Sequence, residues 1–396
     1  MLHSCVVPME TSPHRRAATV AAMALLVAMA WVGLNVGLNY GGHVSGLFWT
    51  GAQAALPEEL AGAHTRRVAD PVGYDGQFYR LVAHDPLLRR GFQSYVDNPP
   101  LRWRRIGVPG LAALLTAGSD GTVDFVYVAI ELIFVALGAF WLAQLAENWG
   151  ARAVWGLAFL AIPAVAVSLD RMTIDLPLAA LLIGLVLYGQ GEANRRWAMY
   201  AILCAAPLVR ETGMVAVVAW CIYSAFRRDW RSAAKGAACG LPALAWWAYV
   251  QSRTPVDGTR WLASYPYSGI LTRTLEGITD PTNTLWLRAA AGFEELALAG
   301  IWIALLLAGT LAWKRRLGLV EVTAILFAAF AGFLGKIDIW SSAYATGRTM
   351  SPLLLMLGLL ALRERRVLFA LPLLLVLPRI ALQYEAQLRN ALRALM

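Results

Sequence analysis

Long apolar runs separated by short polar punctuation dominate this chain, and their lengths predict its elements. The first run, 17–39, follows His14-Arg15-Arg16. It is too long for the hydrophobic region of a signal peptide and long enough to cross a bilayer, which takes about 20 apolar residues. The reading is an uncleaved first helix with a cytoplasmic N-terminus. Residues 40–122 are too polar to cross as a whole. Within them, 106–117 is apolar but short, contains Pro109 and Gly110, and follows Arg102, Arg104 and Arg105. That piece reads as a helix lying at the interface. Further runs at 123–146, 153–169, 174–189, 197–209, 213–226, 233–251, 296–313, 319–334, 352–362 and 367–380 bring the expectation to about eleven crossings, several of them short for the bilayer.

The predicted fold class is an all-α polytopic membrane protein in which 1–396 form one integral membrane domain. Its parts are the first span (17–39), an outer loop with interfacial helices (40–122), a central helix bundle (123–251), a second outer loop (252–295), C-terminal spans (296–380) and a tail (381–396). Composition agrees. Hydrophobic residues make up 59% of the chain and charged residues 15%, against about 25% charged in a soluble domain, and the mean hydropathy is +0.56.

The formal charge of +9 is a matter of membrane orientation. Arg152, Arg195-Arg196, Arg227-Arg228, Arg231, Lys235, Lys314-Arg315-Arg316, Arg363 and Arg365-Arg366 sit in short bursts between apolar runs. With 106–117 kept outside, all of these fall on the cytoplasmic side, as the positive-inside rule requires. A full crossing there would throw most of them outward. Nucleic acid is excluded as a partner on this distribution. Cys5, Cys204, Cys221 and Cys239 have no metal-ligand spacing and imply no disulfide framework.

This topology gathers the remaining ionisable groups on the outer side: Asp75, Asp85 and Asp97, then Asp170-Arg171 and Asp175, Arg210-Glu211, and Lys336, Asp338 and Arg348. Such groups are costly at membrane depth unless paired or lining a wet cavity, so their convergence points to one site. In the second outer loop, Trp261, Tyr265, Tyr267 and Trp286 suit an interfacial belt and also a sugar-stacking surface. Glu131 sits mid-span and is expected to hydrogen-bond between helices. His84 has no partner at ligand spacing and reads as a loop residue.

Several short motifs resemble the GT-C superfamily of polytopic glycosyltransferases, closest to a bacterial subfamily linked to cell-surface glycopolymer formation. They are Tyr74-Asp75-Gly76-Gln77-Phe78-Tyr79, Asp97-Asn98-Pro99-Pro100 with Arg104-Arg105, Leu169-Asp170-Arg171-Met172, Arg210-Glu211-Thr212-Gly213, and Gly347-Arg348 with Ser351-Pro352. The resemblance implies a sugar donor on a polyprenyl-phosphate or polyprenyl-diphosphate carrier. It implies a glycan or lipid acceptor of the cell envelope and a site facing the outside of the bacterial cytoplasmic membrane. Asp75 matches the acid of the first outer loop, which acts as or orients the catalytic base. No paired acidic motif follows it, which speaks against a required divalent metal, and no other cofactor is implied.

Under this reading Tyr74, Gln77, Tyr79, Arg104, Arg105, Asp170, Arg171, Arg210, Glu211 and Arg348 are the candidate substrate-binding residues, the arginines holding phosphate through their bidentate fork. Plainer roles stand beside these. Asp75-Gly76 is a turn dipeptide, Arg104 and Arg105 suit lipid headgroups, Arg210-Glu211 suits a structural ion pair, and Asp175 with Pro177 suits a helix start. The alternatives are a lipid-linked sugar transporter, which would need polar groups spread through the membrane depth, and a non-catalytic subunit of a glycopolymer-assembly complex, whose outer charges would form a partner interface. Membrane lipids are the other implied partners, and the sequence sets no oligomeric state.

Overall fold

The structure, a computed structural model, describes residues 12–62, 65–191, 196–255, 263–276 and 285–396. Arg195, Trp261, Cys5 and the side chain of Trp286, singled out above, lie outside the described residues. The described chain is helical throughout. Its only β contacts are isolated bridges from Thr50 to Arg67 and Gly73.

In order, the α-helices are α1 (Pro13–Leu34), α2 (Gly76–His84), α3 (Pro99–Arg104), α4 (Gly107–Leu115), α5 (Asp120–Asn148), α6 (Pro163–Arg171), α7 (Asp175–Gly189), α8 (Arg196–Val209) and α9 (Met214–Phe226). They continue with α10 (Trp230–Ala238), α11 (Leu241–Arg253), α12 (Ser268–Glu276), α13 (Leu285–Trp313), α14 (Leu319–Ala331), α15 (Ile337–Trp340), α16 (Ala343–Glu364), α17 (Leu371–Leu382) and α18 (Glu385–Leu395).

Among the described residues, four segments are long and apolar enough to cross a membrane: Pro13–Asn39, Asp120–Asn148, Arg288–Trp313 and Tyr344–Glu364. A fifth results if the 3-10 segment Ala153–Ala161 and α6 count as one span bent by 59°. The bend has a local cause. Pro163 opens α6 and forces Ile162 into an extended conformation, since a residue before proline avoids the helical region. The expected run 233–251 is likewise two helices, α10 and α11, divided at Cys239-Gly240. The other apolar helices, α7, α8, the segment Glu211–Phe226 and α14, are 10–17 residues long. The interfacial piece expected at 106–117 is α4, a nine-residue helix.

The bundle has two poles. At one, cationic side chains tie helix ends together: Arg16 to Glu147 at 2.6 Å, Arg363 to Glu321 at 2.5 Å and Arg365 to the Gly150 carbonyl at 3.0 Å. At the other sits the segment 40–122, which is a packed cap. Trp103, Phe92, Leu81, Val82 and Leu60 bury themselves there against Val250 of α11. The Trp103 indole donates to the Asp85 carbonyl at 2.8 Å, and Trp246 and Tyr249 of α11 donate to the Trp103 and Leu87 carbonyls at 2.7 Å each.

A charged cluster staples α2 onto the first turns of α5. Arg80 grips Asp124 at 2.8 and 2.9 Å, and Arg90 grips Asp120 at 2.8 and 2.9 Å. His84 is not the simple loop residue expected: its buried ring places Nδ1 2.6 Å from Asp120 and Nε2 3.4 Å from Asp124. Glu131 also departs from expectation, because both carboxyl oxygens are buried within α5 without a hydrogen-bond partner. The tail expected at 381–396 is a helix, α18, folded back onto the 40–122 pole. There the Gln387 carbonyl accepts from Asn39 at 3.2 Å.

Candidate functional site

Asp75 stands at the N-terminal end of α2, where an aspartate ordinarily accepts a hydrogen bond from its own helix. Its side chain makes no such cap. The helix is nucleated by its backbone carbonyl instead, which accepts from Phe78 at 3.0 Å, and the carboxylate turns out toward two arginines. Oδ1 accepts from Arg102 at 2.9 Å and Oδ2 from Arg348 at 2.7 Å. The second partner lies 273 positions away in sequence, on α16. Gly76 makes this approach possible, since a Cβ there would overlap the Arg171 carbonyl oxygen at the end of α6. Just upstream, Gly73 has φ +77°, a left-handed conformation that glycine alone adopts freely.

Arg102 and Arg105 come from α3 and its C-terminal cap. Proline at 99 opens this short helix, and the Asn98 side chain caps it by accepting from the Leu101 amide at 3.0 Å. Residues three apart share a helix face, so 102 and 105 point the same way. Arg102 also grips Asp97 at 2.6 and 2.8 Å. Arg105 holds Glu211 at 2.5 and 2.7 Å, and the Tyr79 hydroxyl accepts from Arg105 at 2.5 Å and Arg102 at 3.2 Å. Arg104, expected with Arg105, faces away and donates to Gln251 at 2.9 Å. Phase on a short helix decides this: 104 lies between the two inward positions.

Asp175, read from sequence as a helix start, does open α7, but its carboxylate pairs with Arg210 and stands 3.6 Å from Arg348. Arg348 therefore lies between two acids, yet its Nε and Nη1 are buried without a hydrogen-bond partner, as is Arg210 Nε. One connected network thus runs Asp97–Arg102–Asp75–Arg348–Asp175–Arg210, with Tyr79, Arg105 and Glu211 attached.

A second group adjoins it through Tyr74. The Arg171 guanidinium lies 3.6 Å from the ring centre of Trp49, 4.7 Å from that of Tyr74 and 4.9 Å from that of Tyr344, and Arg348 lies 5.1 Å from that of Tyr74. Asp170, fully buried beside it, accepts from Tyr344 at 2.9 Å and from Gln387 at 3.0 and 3.1 Å. Comparison with protein-family models, with curated proteins and with solved structures finds no match.

Of the residues expected from sequence, Asp75, Tyr74, Tyr79, Arg105, Asp170, Arg171, Arg210, Glu211 and Arg348 meet in these two adjoining groups. Arg104 does not. Gln77 points into the loop, accepting from the Gly51 amide at 3.2 Å and donating to the Val72 carbonyl at 2.9 Å. Trp49, Tyr344 and Gln387 were given no role from sequence, Asp175 was expected among the outer charges and at a helix start, and Arg102 was placed only ahead of the short helix. For Arg102 the usable signal was its spacing of three from Arg105 in a segment opened by proline.

Electrostatically, Asp75 is held as a carboxylate. Burial alone would raise its pKa, but the Arg102 and Arg348 guanidiniums outweigh that and hold the carboxyl well below the usual range. The group is thus ionised and weakly basic while both arginines stay in place. Among the described residues, no cluster of three or more His, Cys, Asp or Glu side chains is disposed to hold a metal ion.

Proposed function

We propose that the chain is a GT-C-like membrane glycosyltransferase that moves a sugar from a polyprenyl-phosphate or polyprenyl-diphosphate carrier to a glycan or lipid acceptor of the bacterial cell envelope. The observation that carries this reading is the placement of Asp75 between Arg102 and Arg348, beside buried Arg348 Nη1 and Arg210 Nε groups that make no hydrogen bond. Five guanidiniums (Arg102, Arg105, Arg171, Arg210, Arg348) face five carboxylates (Asp75, Asp97, Asp170, Asp175, Glu211) across the two groups. An incoming phosphate would therefore bind by exchange. Its oxygens take the free donors and compete with Asp75 for Arg348 and Arg102, as arginine forks favour.

The same exchange gives Asp75 its role. Freed from its cations, the carboxylate regains basicity and accepts the proton of the acceptor hydroxyl as that oxygen attacks the anomeric carbon. A base is effective only when its pKa rises toward the working pH. The anomeric carbon–oxygen bond to phosphate breaks in the same step, and Arg348 and Arg210 neutralise the charge left on the departing phosphate. Tyr74, half-buried beside Arg348, offers the aromatic face nearest the exchanging phosphate. In this reading the shorter apolar helices count as crossings to reach about eleven, the N-terminus is cytoplasmic, and the 40–122 pole faces the periplasm or exterior of the inner membrane.

Replacing Asp75 by Asn and by Ala in cells tests the catalytic role through the glycopolymer that they make. Loss of polymer at normal protein level is expected, and normal polymer would sink the role. A second reading, a lipid-linked sugar transporter, draws on the unpartnered buried carboxyl of Glu131 within α5, since ionisable groups inside spans mark transport paths. Function retained in Asp75→Asn but lost in Glu131→Gln would favour it.

A further inference from the structure

The C-terminal helix α18 divides into three faces. Gln387 and Ala391 are buried against the bundle. Leu388, Leu392 and Leu395, at 45%, 61% and 68% exposure, form one stripe at spacings of four and three. At roughly 100° per residue, that stripe lies next to the buried face. Beyond it come Glu385, Arg389 and Arg393, with Arg389 and Glu385 paired along the surface at 2.6 Å. One edge meets protein, one is apolar and open, and one is charged and open.

Its position adds the partner. α18 follows directly on α17, and it packs on Asn35–Asn39 at the far end of the first membrane-length segment, Pro13–Asn39. Tyr384, just before α18, meets Trp31 of α1 edge to face with ring centres 4.7 Å apart, a pair suited to the depth where aromatic belts lie. Rotation about the helix axis is fixed. The Gln387 amide donates to buried Asp170 and its carbonyl accepts from Asn39, so the leucine stripe faces one set direction.

We propose that α18 is an in-plane membrane anchor. Its leucine stripe sits in the boundary between headgroups and acyl chains, its arginines lie at the aqueous edge, and Gln387 ties it to Asp170, the neighbour of Arg171. A helix with a narrow apolar stripe and a cationic rim binds a phospholipid surface in this orientation, about 5–10 Å deep. The occupant of the stripe is lipid, because α18 packs on the end of the membrane-length segment Pro13–Asn39 and leaves these leucines open beside it.

The test uses the full chain in nanodiscs of phosphatidylcholine and phosphatidylglycerol, with the native cysteines replaced and spin labels placed one at a time at Leu388→Cys, Leu392→Cys, Arg389→Cys and Arg393→Cys. Labels at 388 and 392 are expected to relax with oxygen and to be shielded from a water-soluble nickel complex, and those at 389 and 393 to do the reverse. Equal nickel access at all four positions, or a pattern showing the stripe against a second copy of the chain, overturns the proposal. Amide exchange on the unaltered chain is independent of the cysteine background. Exchange across 385–396 in nanodiscs at the rate of an unstructured tail overturns the anchor.

Discussion

Asp75→Asn removes the charge shared by Arg102 and Arg348, and the two arginines are not left equally stranded. Arg102 keeps Asp97 at 2.6 and 2.8 Å. Of its carboxylate partners Arg348 keeps Asp175 at 3.6 Å, with Nε and Nη1 already lacking hydrogen bonds. Breaking a buried ion pair from one side costs about 3–5 kcal/mol. Asp75 retains 22% side-chain exposure, which places the expected loss near the lower end, about 3 kcal/mol. Adding Arg348→Gln removes the stranded cation, so the double variant should be less destabilised than the sum of the singles by about 2 kcal/mol. The matching cycle with Arg102→Gln should give a smaller coupling, about 1 kcal/mol. Reversible unfolding titrated with dodecyl sulfate in mixed micelles measures both. Additive behaviour in both cycles, or a larger coupling to Arg102 than to Arg348, would refute the asymmetry.

Other outcomes follow from the same contacts. Arg102→Ala should lower sugar transfer at least about 100-fold, in line with loss of a charged donor at a transition state, whereas Arg104→Ala, facing Gln251, should stay within about twofold; transfer assays on both variants decide this. Because the Asp75 pKa lies below its ordinary value near 3.8, the stability it contributes is complete above about pH 4 and is lost only as pH falls toward the folded value. The gap between wild type and Asp75→Asn should thus be constant from pH 8 to pH 5, and a gap closing near neutrality would contradict it. Gly76→Ala should destabilise by more than about 1 kcal/mol, because the methyl group meets the Arg171 carbonyl; wild-type thermal stability in that variant would show the approach is not close.

The order of the apolar runs was legible because hydropathy needs only local sequence, and so was a short helix at 106–117; among the described residues, though, four segments, or five with the bent pair, are membrane-length against the eleven expected. Breaks inside runs were less visible. Pro163 bends one run by 59°, and the split at Cys239-Gly240 divides another. At the site, Asp75 and Arg348 could be placed on one pole, but their contact bridges 273 positions and comes from packing α16 against α2's cap. The choice of Arg102 over Arg104 depends on where α3 begins, which sets which side chains face inward. Asp175 was placed correctly at a helix start, yet an aspartate there serves a cap and an ion pair equally well, and only the position of Arg210 selects the pair. Gln387 carried no signal, since nothing near residue 387 marks a partner at residue 170.

The most direct measurement of the central proposal is transfer of labelled sugar from a polyprenyl-phosphate donor to envelope acceptor by purified chain in nanodiscs, comparing wild type with Asp75→Asn at matched folding. Turnover by the wild type and a loss of at least about 100-fold in the variant are the expected result. Equal turnover by both proteins, or none by a folded wild type across mono- and diphosphate donors, would contradict it.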